Sequence, residues 1–236
     1  MNLQGNEPLS KNAVRILRTK GLLSGTIPII IMGVILFLSA GTLNWSMAWV
    51  IICVMFAATT FVTLVCSPDL IIERMHKQKG EKDWDARLVR AMNLVGLLPL
   101  LTAGLSLRFG WIGQVPVIVE TAALCFFLLG YGIFVRAMLV NRFFSRVVRI
   151  QQEKDHRAVT TGPYRFVRHP GYLGFILIVL AQPLMLGSFW ALIPGVLTAG
   201  LFVVRTRRED AALYRELPGY PEYARDVRYR LFPGIW

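Results

Sequence analysis

The sequence predicts an all-α membrane protein, a polytopic helix bundle of about six membrane segments with a C-terminal helical hairpin and an interfacial tail. The 236 residues are 55% hydrophobic and their mean hydropathy is +0.52, which is too apolar for an ordinary soluble domain. Long stretches contain almost no charged residues, and each is long enough for one or two membrane helices. Basic residues concentrate between those stretches, as expected for loops on one side of a membrane.

The first four membrane segments are predicted between residues 21 and 140. The uncharged residues from Gly21 to Pro68 hold two helices with a tight connection near Gly41 to Trp45, at roughly 20 residues per span. An amphipathic, charge-mixed connection follows, with Trp84 and Asp85 expected at the membrane interface. The remaining two segments lie in the apolar runs at residues 91–107 and 115–140.

The last apolar run, residues 170–204, is too long for one crossing. As a single straight helix it would extend about 52 Å, whereas a hydrocarbon core is about 30 Å thick. Pro183 and the Gly187-Ser188 pair offer a break in the middle. The run therefore predicts a hairpin of two short helices, at residues 172–186 and 189–204.

The positions of the basic residues predict the orientation in the membrane. Six crossings place 25 of the 26 lysines and arginines on one side, with Arg108 as the exception. Because basic residues favour the cytoplasmic side, both termini are expected there, including a basic segment at residues 1–20. The net charge of +12 then reflects topology and attraction to the lipid bilayer surface. No nucleic-acid partner is expected, since the charge is shared among loops.

Several kinds of site are not indicated by the sequence. The three cysteines lie in or beside apolar segments without metal-ligand spacing, so no metal is expected. No serine or cysteine triad is visible, and no glycine-rich dinucleotide fingerprint follows a strand. These absences direct attention to the polar residues at the membrane boundary.

The most informative stretch is residues 162–174, where cationic, imidazole, aromatic and glycine residues meet the start of an apolar run. A membrane span needs none of these residue types, so they suggest a site. Pro170 is tolerated in the first turn of a helix. Gly171 and Gly174 leave room for a ligand to approach the backbone.

A second polar cluster, Arg205 to Leu213, follows the last apolar run and contains the acidic pair Glu209-Asp210. Alone, it is typical of a solvated helix turn with weak ion pairs. In an antiparallel hairpin, however, it would lie beside Arg168 and His169 at the same membrane face. The combination predicts a pocket for a zwitterionic ligand. The tail beyond Gly219 is either an interfacial anchor, as its tyrosines and tryptophan suggest, or a lid over this pocket.

Five elements occur in a recognisable order: Gly162-Pro163-Tyr164, Arg168-His169-Pro170-x-Tyr172-x-Gly174, the acidic pair, Tyr220-x-x-Tyr223 and Pro233. This pattern resembles the isoprenylcysteine carboxyl methyltransferase and phospholipid methyltransferase superfamily, over about residues 145–236. The resemblance implies an integral membrane enzyme whose catalytic region covers residues 141–236, with the active site on the cytoplasmic side.

The resemblance also implies S-adenosyl-L-methionine as cofactor. Asp210 departs from the family's Glu-Glu pair by being one methylene shorter, which makes Glu209 the stronger candidate of the two for direct contact. The residues expected to bind the cofactor are Gly162, Pro163, Tyr164, Val167, His169, Pro170, Tyr172, Gly174, Glu209 and Asp210.

Catalytic roles follow from the chemistry of methyl transfer, which demands alignment and desolvation. A carboxylate acceptor is already nucleophilic near neutral pH. Arg168 and Arg205 are expected to hold it, with Glu209 orienting an arginine or the cofactor's ammonium group. An amine acceptor would instead need a base, Glu209 or His169. The acceptor is expected to be lipidic or prenylated, with carboxyl O-methylation of isoprenylcysteine as the main expectation and phospholipid amines or small thiols as the alternatives.

Two alternative functions belong to other classes of protein. Membrane sterol reductases that use NADPH resemble the chain in a related motif, but Gly171 and Phe175 stand where that motif has Asn and Glu. Both departures favour the methyltransferase. A non-catalytic lipid-binding protein would require the polar cluster to be dispensable.

Overall fold

The computed structural model describes residues 10–75, 80–111 and 115–236. Every regular element in those ranges is a helix, which confirms the all-α prediction. The first nine residues of the predicted basic N-terminal segment lie outside the described residues. The helices are α1 Lys11–Ala40, α2 Ser46–Val65, α3 Pro68–Met75, α4 Asp83–Val95, α5 Leu98–Phe109, α6 Val117–Val140, α7 Pro170–Met185, α8 Leu192–Glu216 and α9 Tyr220–Asp226, with 3₁₀ turns at Gln152–Lys154 and Gly162–Arg165.

Helix α1 starts earlier than predicted. Ser10 caps it by accepting a hydrogen bond from the backbone N–H of Ala13 at 3.2 Å. The expected boundary at residue 20 therefore falls inside a helix. Its end agrees with the prediction, because Gly41 adopts the left-handed conformation, with φ of 69°, that closes many helices.

The predicted third membrane segment is interrupted. Helix α4 ends at Val95 and α5 begins at Leu98. Pro99, in the first turn of α5, has no N–H to donate to the carbonyl of Val95 four residues earlier, so the helical hydrogen bonding stops there. The two helices together, Asp83–Phe109, are long and apolar enough to cross a membrane.

Within the described ranges, four helical stretches can span a bilayer by length and hydropathy: α1, α2, α4 with α5, and α6. Large apolar side chains such as Leu38 and Ile118 lie exposed on these helices, as expected for a surface facing lipid. The protein is therefore an integral membrane protein. Helix α7 is apolar but shorter, with 16 residues.

The predicted break in the last apolar run is present. Pro183 lies in the final turn of α7, and Gly187 adopts a φ of 73° in the turn to α8. Helix α8 packs against α7 but continues to Glu216, twelve residues beyond the predicted end at Val204. Arg205, Thr206 and Asp210 are buried in this extension, and protein partners replace the water that the prediction assumed.

Helices α6 and α7 touch backbone to backbone. A Cβ atom added to Gly174 would lie 2.6 Å from the carbonyl oxygen of Gly130, and one added to Gly130 would lie 2.7 Å from that of Gly174. The space beside Gly174 is therefore filled by α6, which corrects the interpretation that it admits a ligand.

We expect Gly130→Ala to destabilise the protein, because the added methyl group meets main-chain atoms that cannot move aside alone. Overpacking of this kind costs about 1–3 kcal/mol. The measurement is the midpoint of thermal unfolding in detergent. Gly132→Ala is the matched control, since a Cβ atom two residues further along the same helix meets nothing within 4 Å. Equal midpoints for the two variants would contradict this packing.

Candidate active site

Asp210 on α8 is the centre of a buried polar cluster. Its Oδ1 atom accepts hydrogen bonds from Arg168 Nε at 2.8 Å and from the Tyr220 hydroxyl at 2.8 Å, and lies 3.1 Å from His169 Nε2. Its Oδ2 atom accepts from Arg168 Nη2 at 3.1 Å and from Arg230 Nε at 2.8 Å. Only 4% of Asp210 is exposed, so the solvated-turn interpretation is wrong for this residue.

The charge of Asp210 is stabilised by these partners. Burial opposes ionisation, but hydrogen bonds from His169 and Arg168 and the neighbouring Arg230 outweigh it and hold the pKa of Asp210 well below its usual range. A carboxylate that is fully ionised and fully bonded is a structural anchor. It joins α8 to the segment before α7, to α9 and to the C-terminal tail.

The tail is hydrogen-bonded to the segment that precedes α7. The backbone N–H groups of Arg168 and His169 donate to the carbonyls of Tyr229 and Arg230, both at 2.9 Å. The Nη1 atom of Arg168 donates to the carbonyl of Val227 at 2.8 Å and to two neighbouring carbonyls. All three guanidinium nitrogens of Arg168 therefore have protein partners.

Arg205 is held by a carboxylate that the sequence did not single out as part of the site. Asp85, on α4, accepts from Arg205 Nε at 2.8 Å and Nη2 at 2.9 Å, and from the backbone N–H of Val148 at 2.7 Å. Arg205 Nη2 also donates to the carbonyl of Arg146 at 2.7 Å. The side chain of Asp85 is fully buried. Its position in the first turn of a helix was the only local signal.

Tyr172 connects this ion pair to Glu209. The guanidinium carbon of Arg205 lies 5.2 Å from the centre of the Tyr172 ring, which also stacks on His169 with centroids 5.9 Å apart. The Tyr172 hydroxyl donates a hydrogen bond to Glu209 Oε2. Asp85, Arg205, Tyr172 and Glu209 thus form a continuous chain of contacts in which each side chain orients the next.

These groups border a cavity of about 670 Å³ between the helices. Its wall has a polar end and an apolar end. Polar side chains at one end include Tyr164, His169, Tyr172, Glu209 and Tyr220. Apolar side chains at the other include Pro28, Met32, Met55, Leu97, Leu100 and Ile178. Glu209 is the one carboxylate among the described residues of the wall.

The cavity brings together about half of the predicted site. The wall includes Tyr164, Arg168, His169, Tyr172, Arg205 and Glu209. Six others support it from outside: Gly162, Pro163, Val167, Pro170, Gly174 and Asp210. Gly162 adopts a φ of 58° that starts the predicted turn, and Pro170 begins α7 as expected. Their part in cofactor binding stays a prediction, and for Gly174 it cannot be direct contact on the side that α6 fills.

The arrangement suits an amphipathic reaction partner. Glu209 has the Tyr172 hydroxyl as its hydrogen-bond donor and no cationic partner among the described side chains, so a cation can approach it from the cavity. The apolar end can receive a hydrocarbon chain. The fold and the site together define a helical membrane protein whose cavity has a polar end and an apolar end. Such a cavity suits an enzyme that acts on an amphipathic substrate.

Comparison with known proteins agrees with this class. The profile of the isoprenylcysteine carboxyl methyltransferase family matches residues 121–215. A protein-S-isoprenylcysteine O-methyltransferase from Schizosaccharomyces pombe is 35% identical over 170 residues, which cover 64% of this chain and 72% of that protein. A probable enzyme of the same name from Oryza sativa subsp. indica is 33% identical over 89 residues, 37% of this chain and 47% of that protein.

The chain belongs to the isoprenylcysteine carboxyl methyltransferase family. It is a membrane methyltransferase, and the comparisons do not favour the reductase alternative. The family match contains Arg168, Arg205 and Glu209 but begins after Asp85.

Proposed function

We propose that the protein transfers a methyl group from S-adenosylmethionine to the carboxylate of an isoprenylcysteine. The observation that carries the proposal is the cavity, which joins a polar end containing Glu209 to an apolar end. The relatives from Schizosaccharomyces pombe and Oryza sativa are named for activity on isoprenylcysteine. A prenyl chain suits the apolar end, and a charged cofactor suits the polar end.

The residues present fit this cofactor. A volume of about 670 Å³ has room for a nucleoside with an amino-acid side chain as well as part of an acceptor. We propose that Glu209 accepts hydrogen bonds from the cofactor's ammonium group, with Tyr172 fixing the carboxylate. Tyr164 and His169 add aromatic surface to the same end. When bound, the cofactor supplies an electrophilic methyl group on a sulfonium, whose S–C bond electrons remain with sulfur.

A carboxylate acceptor needs no general base. Carboxylates ionise near pH 4, so the nucleophile is ready at neutral pH and no proton has to be transferred. The protein has to align the acceptor oxygen with the methyl group and exclude water. We propose that Arg168 and Arg205 serve this alignment indirectly, since both are already bonded to buried carboxylates. Arg168 positions the tail, and Arg205 positions Tyr172.

We also propose six membrane crossings with both termini and the polar end of the cavity on the cytoplasmic side. Helix α7 and the apolar first half of α8 would form the last two crossings as a hairpin. The support is that this arrangement leaves 25 of 26 basic residues on one side. Labelling of single cysteines placed at Arg165 and Arg108 would test it, with opposite accessibility expected.

The test of function is direct. Protein purified in detergent is incubated with methyl-labelled cofactor and N-acetyl-S-farnesylcysteine, and the product is tested for base-labile ester. Phosphatidylethanolamine and a small alkyl thiol serve as competing acceptors, and calorimetry compares S-adenosylhomocysteine with NADPH. Ester formation with saturable S-adenosylhomocysteine binding supports the proposal. Methylation of amine or thiol only, or binding of NADPH alone, would overturn it.

A further inference from the structure

Arginines dominate the charged wall of the cavity. Among its described residues are six arginines and one carboxylate, Glu209. Four of the six are ion-paired with carboxylates outside the wall. These are Arg149 with Glu73 and Glu153, Arg157 with Asp155, Arg168 with Asp210, and Arg205 with Asp85.

Arg74 and Arg146 are the two other arginines of the cavity wall. Within the described parts of the chain, neither guanidinium has a hydrogen-bond or ion-pair partner. Arg74 has only an aromatic contact, its guanidinium carbon lying 5.6 Å from the centre of the Phe144 ring. Burial and the nearby charge of Arg146 lower the pKa of Arg74 to about 10. Arg74 is partly buried and Arg146 is more exposed, so solvent screens part of the repulsion between the two cations, and an anion between them would neutralise the rest.

The pair is close to the reacting end of the cavity. The carbonyl of Arg146 is held by Arg205, whose guanidinium lies on the Tyr172 ring beside Glu209. The Phe144 ring that supports Arg74 packs against Gly171, where an added Cβ atom would lie 2.9 Å from it. Each arginine is therefore linked to the start of α7 through one intervening side chain, Phe144 for Arg74 and Arg205 for Arg146.

The other side of the pair is apolar. Phe144 packs on Phe134 with ring centroids 5.6 Å apart, Phe134 packs on Phe175 with centroids 4.5 Å apart, and all three rings line the cavity. An anion held by Arg74 and Arg146 would thus lie where the polar and apolar parts of the cavity meet. A prenylated cysteine has this layout, with a carboxylate a few atoms from the hydrocarbon.

We infer that Arg74 and Arg146 together form the site that binds the acceptor's carboxylate. The inference rests on the proposed function. Arginine suits the role, because its planar fork binds a carboxylate through two hydrogen bonds and stays charged at neutral pH. The cofactor's own carboxylate has the same chemistry, so the experiment has to distinguish the two ligands.

The test compares Arg74→Met and Arg146→Met with the exposed Arg165→Met, which lies outside the cavity wall. Binding of N-acetyl-S-farnesylcysteine and of S-adenosylhomocysteine is measured for each variant by calorimetry in detergent. We expect each cavity variant to weaken acceptor binding at least 10-fold, with S-adenosylhomocysteine binding within 2-fold of wild type. Arg146→Lys, which retains a cation, should recover part of the loss.

A second probe identifies the interacting group. The carboxamide of N-acetyl-S-farnesylcysteine should bind wild type at least 10-fold more weakly than the acid, and the methionine variants should bind acid and amide equally. Weakened S-adenosylhomocysteine binding with unchanged acceptor binding would assign the pair to the cofactor and overturn the inference. So would unchanged binding of both ligands. Because binding needs no turnover, failure of the methylation assay is separable from failure of this site.

Discussion

Asp210→Asn is expected to lower the stability of the protein more than any other single change in the site. The substitution leaves the buried guanidinium of Arg168 and the half-buried guanidinium of Arg230 without their counter-charge. Removing one partner of a buried ion pair costs about 3–5 kcal/mol, because the remaining charge stays desolvated. The thermal midpoint in detergent should fall by about 6–20 °C for a chain of this size.

Asp226→Asn is the matched control, because it makes the same change at an exposed carboxylate on the neighbouring helix α9. Its midpoint should equal that of wild type. If Asp210→Asn unfolds at the wild-type temperature as well, Asp210 is not the anchor of the tail. Limited proteolysis after residue 226 gives an independent measure, since release of the tail should expose it to cleavage.

The stability that Asp210 contributes depends on pH in a direction set by its lowered pKa. The folded-state pKa of Asp210 is lowered, so the group contributes its full stabilisation above its unfolded pKa of about 4. The contribution is lost only as the pH falls below that value. The gap between wild type and Asp210→Asn should therefore be constant from pH 5 to pH 8.

Glu209→Gln is expected to have the largest effect on ligand binding while leaving the fold intact. The glutamine oxygen can still accept from the Tyr172 hydroxyl, so the local contact is retained. The lost element is the negative charge facing the cavity. Hydrogen bonds to charged groups contribute about 1.5–3 kcal/mol, which predicts roughly 10- to 150-fold weaker binding of S-adenosylhomocysteine.

Calorimetry with S-adenosylhomocysteine measures the effect of Glu209→Gln. Glu216→Gln is the control, because it lies on the same helix and its partner is the half-exposed Lys82 at the surface. Unchanged affinity in Glu209→Gln would remove Glu209 from the cofactor site. Weakened binding in both variants would indicate a general effect of charge on α8.

Patterns local to the chain were sufficient for much of the fold. The turn at Gly41, the break near Pro183 and the start of α7 at Pro170 were all predicted, because glycine and proline constrain the backbone where they stand. The end of α8 was not predicted. Charged residues after Val204 are typical of a helix leaving the membrane, and only their burial against α4 and the tail explains the further turns.

The sequence predicted which residues belong to the candidate site, but not which of them form ion pairs with each other. Arg168, His169, Tyr172 and Glu209 were selected because two polar clusters flank one apolar hairpin, and all four line the cavity. Asp85 was missed as a member of the site, since it lies 120 residues before Arg205 and nothing near it indicates that partner.

The class of protein, the apolar helices and the polar stretch that contains the site were predictable from sequence, because hydropathy and backbone preference are local properties. The pairing of the charged side chains, in contrast, required the three-dimensional packing of the helices. Arg168 and Arg205 looked like ligand-binding groups until packing placed Asp210 and Asp85 against them. Among the described residues, the same packing gives Arg74 and Arg146 no carboxylate partner at the cavity, because ion pairing depends on distances between segments far apart in the chain.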